Sequence, residues 1–302
     1  MPEARVLGAP LKARMLAMAS ATASQLGRPP VVVLLGIDFG DPRSEINVRI
    51  HTTCFGQVGI RVRNTLLPYS EGVEDALLDL VRGANDDPEV DGVMVLLPLP
   101  RDVDVRRVIS TIDPDKEVEG LHVEAIMRNH PLASPSAVPA PPPIVPQATL
   151  ALLGELGFPM TDLHVAIVTS PRMVQENPVS RAITGGGVSS VLPLDATVSV
   201  VPCTSPGGRQ VTTMADLLLV SVDEPRVIDG SWVKQGALVI DYNAMPDPDP
   251  ARSGVVGGVD TGSVLAAGAS VAPIPGGFGP VLLGCAALRI VQMSARRQSL
   301  EG

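Results

Sequence analysis

Short apolar runs of strand length return along this chain at intervals that leave room for one helix between them, and that spacing narrows the fold more than any other feature. The first run is PPVVVLLGI (29–37), long and β-branched enough for a buried strand. Ser44 is expected to cap a helix running to about Val58, with Ile46, Ile50, Cys54 and Val58 on its buried face and Gly59 as its stop. A short strand at 60–62, a helix at 73–85, a strand at 91–100 and a helix at 104–112 continue the alternation. Such spacing implies right-handed βαβ units and parallel sheets.

The stretch PLASPSAVPAPPPIVP (131–146) breaks the pattern and reads as a semi-rigid connector. Beyond it the pattern restarts. A helix at 147–157, a strand at 164–170 and a helix near 178–183 are followed by strands at 196–202, 216–222 and 237–242. A glycine-rich loop, PIPGGFGP (273–280), leads into a last helix at 281–297, whose Arg289, Arg296 and Arg297 suit the helix dipole. The expected architecture is α/β, with two doubly wound domains, the second Rossmann-like, and the C-terminal helix returning to the first. The boundaries are 1–138 with 280–302 for the first domain and 139–279 for the second.

Aromatic residues make up 2% of the chain, so the cores must be built from Val, Leu, Ile and Ala, as suits buried parallel strands. A net charge of −9 repels phosphate backbones and anionic lipid, so neither nucleic acid nor membrane is an expected partner. No apolar run is read as long enough to span a bilayer, and the opening twenty residues read as an amphipathic surface helix, because Lys12 and Arg14 interrupt them. Cys54, Cys203 and Cys285 form no CxxC pair and are read as reduced, mostly buried thiols of a cytoplasmic protein. No metal site is expected.

Six segments in order, LLPLP (96–100), DPDKEVEGLH (113–122), MADLLLVSVDEP (214–225), WVKQGALVID (232–241), GGVD (257–260) and PIPGGFGP (273–280), resemble the bifunctional methylenetetrahydrofolate dehydrogenase/cyclohydrolases. The resemblance runs from about residue 30 to the end. It implies a folate-binding catalytic domain, an NADP domain, a homodimer, a cleft where folate meets nicotinamide, and a reduced folate as the small-molecule ligand.

Residue by residue, the resemblance places Asn47 at the family's tyrosine and His51 at its acid/base lysine. A second lysine becomes Thr53, and the glutamine that contacts the catalytic lysine becomes Leu96. Histidine titrates near neutrality without tuning, so His51 with Asn47 is the expected catalytic pair. The alternative is a helix histidine in a site that has lost its base. Glu119 keeps the carboxylate that the family sets against the pterin, and Leu96, Pro275, Gly276, Gly277 and Pro280 complete the expected substrate contacts. Val281-Leu282 stands where the family has Met-Thr.

On the dinucleotide side, Ser170 and Arg172 are the expected cofactor contacts. Val168 and Gln175 replace family glycines, Pro202 and Cys203 replace a histidine-serine pair, and Asp223 replaces the glycine of a later turn. Side chains and a carboxylate in a phosphate cradle are unfavourable, so NADP binding is expected to be impaired. The leading expectation is a folate-dependent enzyme that transfers or releases a one-carbon unit by an altered site. A conventional NADP-dependent dehydrogenase/cyclohydrolase ranks second, and a non-catalytic folate-binding or interaction protein third.

Overall fold

The computed structural model describes residues 4–128, 142–176, 196–249 and 254–301. Most of the connector at 131–146 and the helix expected near 178–183 lie outside the described residues. The chain divides into two compact units. The first takes Ala13–Ile144 and the segment from Leu283 onward; the second takes Val145–Leu282 and the segment up to Lys12.

In the first unit, β1 (Val31–Asp38) lies between β2 (Arg61–Pro68) and β3 (Gly92–Val95) in a parallel three-stranded sheet. β1 buries every residue except Val33 and Asp38, as an apolar strand covered on both faces must. β2 is longer than the 60–62 expected. It is an edge strand, and its Arg61, Arg63 and Asn64 hid the strand signal. β3 stops at Val95, short of the run expected to 100; Pro98 and Pro100 have no N–H to give a ladder.

After α1 (Ala9–Ala23), α2 (Pro42–Gly56) is capped by Asp41, whose carboxylate accepts from the Arg43 N–H, with Pro42 at the first helical position. The expected cap, Ser44, is buried inside the first turn and donates to the Ile37 carbonyl at 3.2 Å. Ile50 is exposed rather than buried; Cys54, Phe55 and Val58 form the inward face. In α3 (Val73–Asp86), Val73, Leu77, Leu78, Val81 and Ala84 are buried at helical spacing. Two short helices, α4 (Val105–Thr111) and α5 (Val123–Arg128), complete the stretch before the connector.

The second unit carries a five-stranded parallel sheet in the order β10-β7-β6-β4-β5. Its strands are β4 (His164–Thr169), β5 (Thr197–Pro202), β6 (Leu217–Ser221), β7 (Leu238–Asp241) and β10 (Ser270–Ala272); β8 (Met245–Pro246) and β9 (Val255–Val256) pair separately and antiparallel. The helices are α6 (Ile144–Glu155), α7 (Pro171–Glu176), α8 (Gly208–Thr212) and α9 (Thr261–Ala266). The N-terminal segment lies along β10, where the Val6 N–H meets the Val271 carbonyl at 2.7 Å.

The last helix, α10 (Phe278–Glu301), starts earlier and ends later than the sequence predicts. It packs on α1 of the first unit, with Cys285 Sγ 3.8 Å from Met15 Sδ. Phe278–Ser299 is, contrary to expectation, long and apolar enough to cross a bilayer, but it buries Cys285, Ala286, Ala287, Ile290 and Val291 as a core helix. Arg289 sits in mid-helix and is 3% exposed, so it does not serve the helix terminus.

Candidate functional site

Asn47 and His51 lie one turn apart on α2, and both are half-buried. Asn47 donates its side-chain N–H to the Leu97 carbonyl at 2.9 Å, which ties α2 to the turn after β3. His51 Nδ1 lies 2.8 Å from the Asn47 carbonyl. A carbonyl only accepts, so Nδ1 carries the hydrogen and Nε2 presents its lone pair. Burial pushes the His51 pKa down, with the Asn47 carbonyl opposing it, so the ring is neutral at pH 7. Its edge meets Phe55 at 5.6 Å between ring centres. Leu96 is buried and its N–H pairs with the Leu35 carbonyl, while Thr53 is exposed.

The loop at 113–122 is organised by two charges that the sequence alone did not rank. Lys116 is buried and its ammonium donates to the Ala84, Asn85 and Asp87 carbonyls at 3.1, 2.6 and 2.8 Å, closing the end of α3. The Glu117 carboxylate accepts from the N–H groups of Glu119, Leu121 and His122. Gly120 has φ +74°, and a Cβ there would lie 2.7 Å from Pro143 Cα.

Glu119 is half-buried on this loop, and its carboxylate takes no hydrogen bond among the described residues. Burial, then the charge of Glu117, push its pKa up to about 8, with Arg289 opposing. Arg289 donates to the Val118 carbonyl at 3.1 Å and to the Pro142 carbonyl, and burial lowers its pKa to about 10. Sequence reasoning assigned Arg289 to the helix dipole and missed these contacts. An arginine in an apolar helix is a signal, but nothing in the chain names the carbonyls it meets.

In the second unit the chain leaves β4 for β5 on one side and then crosses to β6 on the other, so the carboxyl ends of β4 and β6 flank a topological switch point, where open α/β sheets bind ligands. Ser170, just past β4, is 6% exposed, and its Oγ is buried with no partner among the described residues. Arg172 reaches to 3.8 Å from the Asp223 carboxylate just past β6. Asn243 donates to Ser221 Oγ and the Val222 carbonyl, bracing that end of β6. The Cys203 thiol is raised by burial and then by Glu224 and Asp223.

Val168 was expected to crowd the cofactor. It is instead fully buried in the apolar core with Val201 and Val220, so its side chain adds no bulk to the crevice. The Gln175 side chain lies outside the described residues.

The glycine loop also belongs to the second unit. Gly276 has φ +99°, and a Cβ on Gly277 would come within 2.4 Å of the Ala272 carbonyl carbon, so the backbone itself requires both. Pro275 is exposed, and Pro280 lies in the first turn of α10 rather than in the loop. The three cysteines form no disulfide, with Cys54 and Cys285 buried and Cys203 half-buried.

An orphaned buried hydroxyl and an arginine at a parallel-sheet switch point suit a dinucleotide, and the fold defines a two-unit α/β protein whose second unit is Rossmann-like. The chain belongs to the tetrahydrofolate dehydrogenase/cyclohydrolase family: residues 6–119 match its catalytic domain and residues 143–298 its NAD(P)-binding domain.

It is 34% identical over 278 residues to the bifunctional protein FolD of Phenylobacterium zucineum, covering 90% of this chain and 88% of that one. It is 32% identical to the FolD of Desulfovibrio desulfuricans, over 95% of both chains. The crystal structure of the Trypanosoma brucei methylenetetrahydrofolate dehydrogenase-cyclohydrolase, complexed with NADP cofactor and inhibitor, superposes with a TM-score of 0.82 at 23% identity over 100% of each chain.

Proposed function

We propose that this chain is an NAD(P)-dependent methylenetetrahydrofolate dehydrogenase with a cyclohydrolase step run by His51. The observation that carries the reading is that the catalytic and NAD(P)-binding halves of the family both match, in order, in one chain. Relatives named as bifunctional, aligned over nine-tenths of the chain, favour this conventional pair of reactions over the altered one-carbon transfer that the replaced residues suggest.

The reaction oxidises 5,10-methylenetetrahydrofolate to the methenyl form, then adds water to give 10-formyltetrahydrofolate. A bound nicotinamide dinucleotide supplies the hydride acceptor of the first step. Hydride transfer needs alignment rather than a base, so the loss of the family's lysine does not bear on it. Ser170 and Arg172 are the residues that would hold the dinucleotide. Glu119 binds the donor edge of the pterin; on binding it releases its proton to solvent and becomes a charge-assisted acceptor.

In the hydrolytic step His51 Nε2 takes the proton of the attacking water, and the Asn47 carbonyl stabilises the imidazolium through Nδ1. The homodimer that the resemblance implies is part of this reading, and sedimentation measures it.

The deciding experiment follows formation of reduced dinucleotide from 5,10-methylenetetrahydrofolate, and separately methenyl hydrolysis. Both activities are expected. Release of the one-carbon unit to another acceptor, without dinucleotide reduction, would return the altered reaction to first place. Absence of any folate-dependent rise in melting temperature would leave only an interaction protein that binds no folate.

A further inference from the structure

We propose that the Arg172–Asp223 pair is a plug in the dinucleotide crevice: in the free protein Asp223 holds the guanidinium that a bound dinucleotide's diphosphate would take, so Asp223 sets an upper limit on cofactor affinity. The inference rests on the dinucleotide reading of the second unit.

Its first support is position. Arg172 follows β4 by three residues and Asp223 follows β6 by two, so the pair bridges the two strand ends that flank the switch point. Its second is the neighbourhood. Ser170 Oγ, two residues before Arg172, is buried and takes no hydrogen bond among the described residues, so the crevice holds a donor that no described protein group uses. Its third is charge. Asp223 and Glu224 both act on the Cys203 thiol at the end of β5, so two carboxylates and one guanidinium share this rim.

The pair is suited to exchange. Its members are 54% and 23% exposed and 3.8 Å apart, a geometry in which this contact contributes little stability. A diphosphate offers paired oxygens that match the guanidinium fork better than one distant carboxylate does. Asp223 then faces the anion uncompensated. The carboxylate therefore opposes binding twice, by occupying Arg172 beforehand and by repelling the diphosphate afterwards.

The test is calorimetric titration of NADP, and separately NAD, into the full-length wild type, Asp223→Asn, Arg172→Gln and the double variant. Melting temperatures without dinucleotide confirm that each is folded, and Asp223→Ser serves if the asparagine variant is not. Asp223→Asn is expected to tighten both dinucleotides by about tenfold, the effect of one removed charge near a partly exposed diphosphate. Arg172→Gln should weaken both, and in its background the gain from Asp223→Asn should shrink, because only the repulsion is left to relieve.

Wild-type binding that Asp223→Asn leaves unchanged or weakens overturns the plug while sparing the dinucleotide reading. So does wild-type binding indifferent to Arg172→Gln. No titratable binding of either dinucleotide by wild type or by Asp223→Asn overturns both.

Discussion

The two units absorb their unusual residues in opposite ways. In the first, Asn47 and His51 stay polar and are tied to backbone, at the Leu97 and Asn47 carbonyls, and Glu119 stands beside Glu117 and Arg289, while Leu96 is the replacement that is buried. In the second, Val168 has gone into the apolar core, and the departures that still matter, Asp223 and Cys203, stand at the rim. On the proposed function, a replacement in the first unit therefore changes what the site can do to a proton. One in the second changes how tightly an anion is held, or only how a sheet is packed.

The strongest test of that contrast is His51→Ala. General acid/base catalysis contributes ~10²–10⁴-fold, so methenyl hydrolysis should fall by that order while dinucleotide reduction changes little. Stopped-flow rates of both steps check it, and equal losses in the two would erase the distinction. Val168→Gly is next. It restores the family's glycine, yet it removes a buried side chain and loosens a strand, so stability should drop by about 2–4 kcal/mol with no gain in dinucleotide affinity. Urea unfolding and titration read the two effects separately.

Glu119→Gln should weaken reduced-folate binding by tenfold or more, since losing a charge-assisted contact costs about 1.5–3 kcal/mol. The deficit should grow as the pH rises through 8, where the wild-type carboxyl gives up its proton most readily. A titration series from pH 6 to 9 on both proteins measures this, and a constant ratio would count against the assigned contact.

The smallest effect is on the stability profile. Glu119 and the buried Asp241, whose pKa burial raises to about 7, keep protons in the folded chain that an unfolded chain has already lost. Folding thus binds protons between the ordinary carboxylate range and pH 7–8, and stability from these two groups falls as pH rises through that window. Asp241→Asn should flatten the lower part of the slope and Glu119→Gln the upper; parallel melting curves across pH would show that neither carboxyl carries it.

The fold was legible where periodicity was strong. α3 and β1 follow from Leu, Val and Ile at spacings that only one element satisfies. β2 and β10 were harder to read, because an edge strand with four polar residues and a strand of three residues carry almost no period. At the site, Asn47, His51 and Glu119 could be nominated from the chain, but their hydrogen bonds could not. The tautomer of His51 depends on one carbonyl four residues back, and the proton on Glu119 depends on its burial, then on Glu117 and on Arg289, 170 positions away in sequence. Lys116 and Glu117 were visible as charges, and only the folded loop shows that they hold backbone rather than ligand.

The segment along β10 and the helix that carries Arg289 have a consequence for how this chain can be cut. The second unit needs the stretch before Lys12 at the edge of its sheet, and the first needs the stretch after Leu283 to cover Val118. The polypeptide passes from second to first, back to second and again to first, as two interleaved threads. No single break yields two whole pieces: a fragment ending near the proline-rich connector would carry the segment that bridges to β10 away from it and leave its own core without α10. Each half must wait for sequence that emerges on the far side of the other, so neither can finish folding on the ribosome before most of the chain has been made.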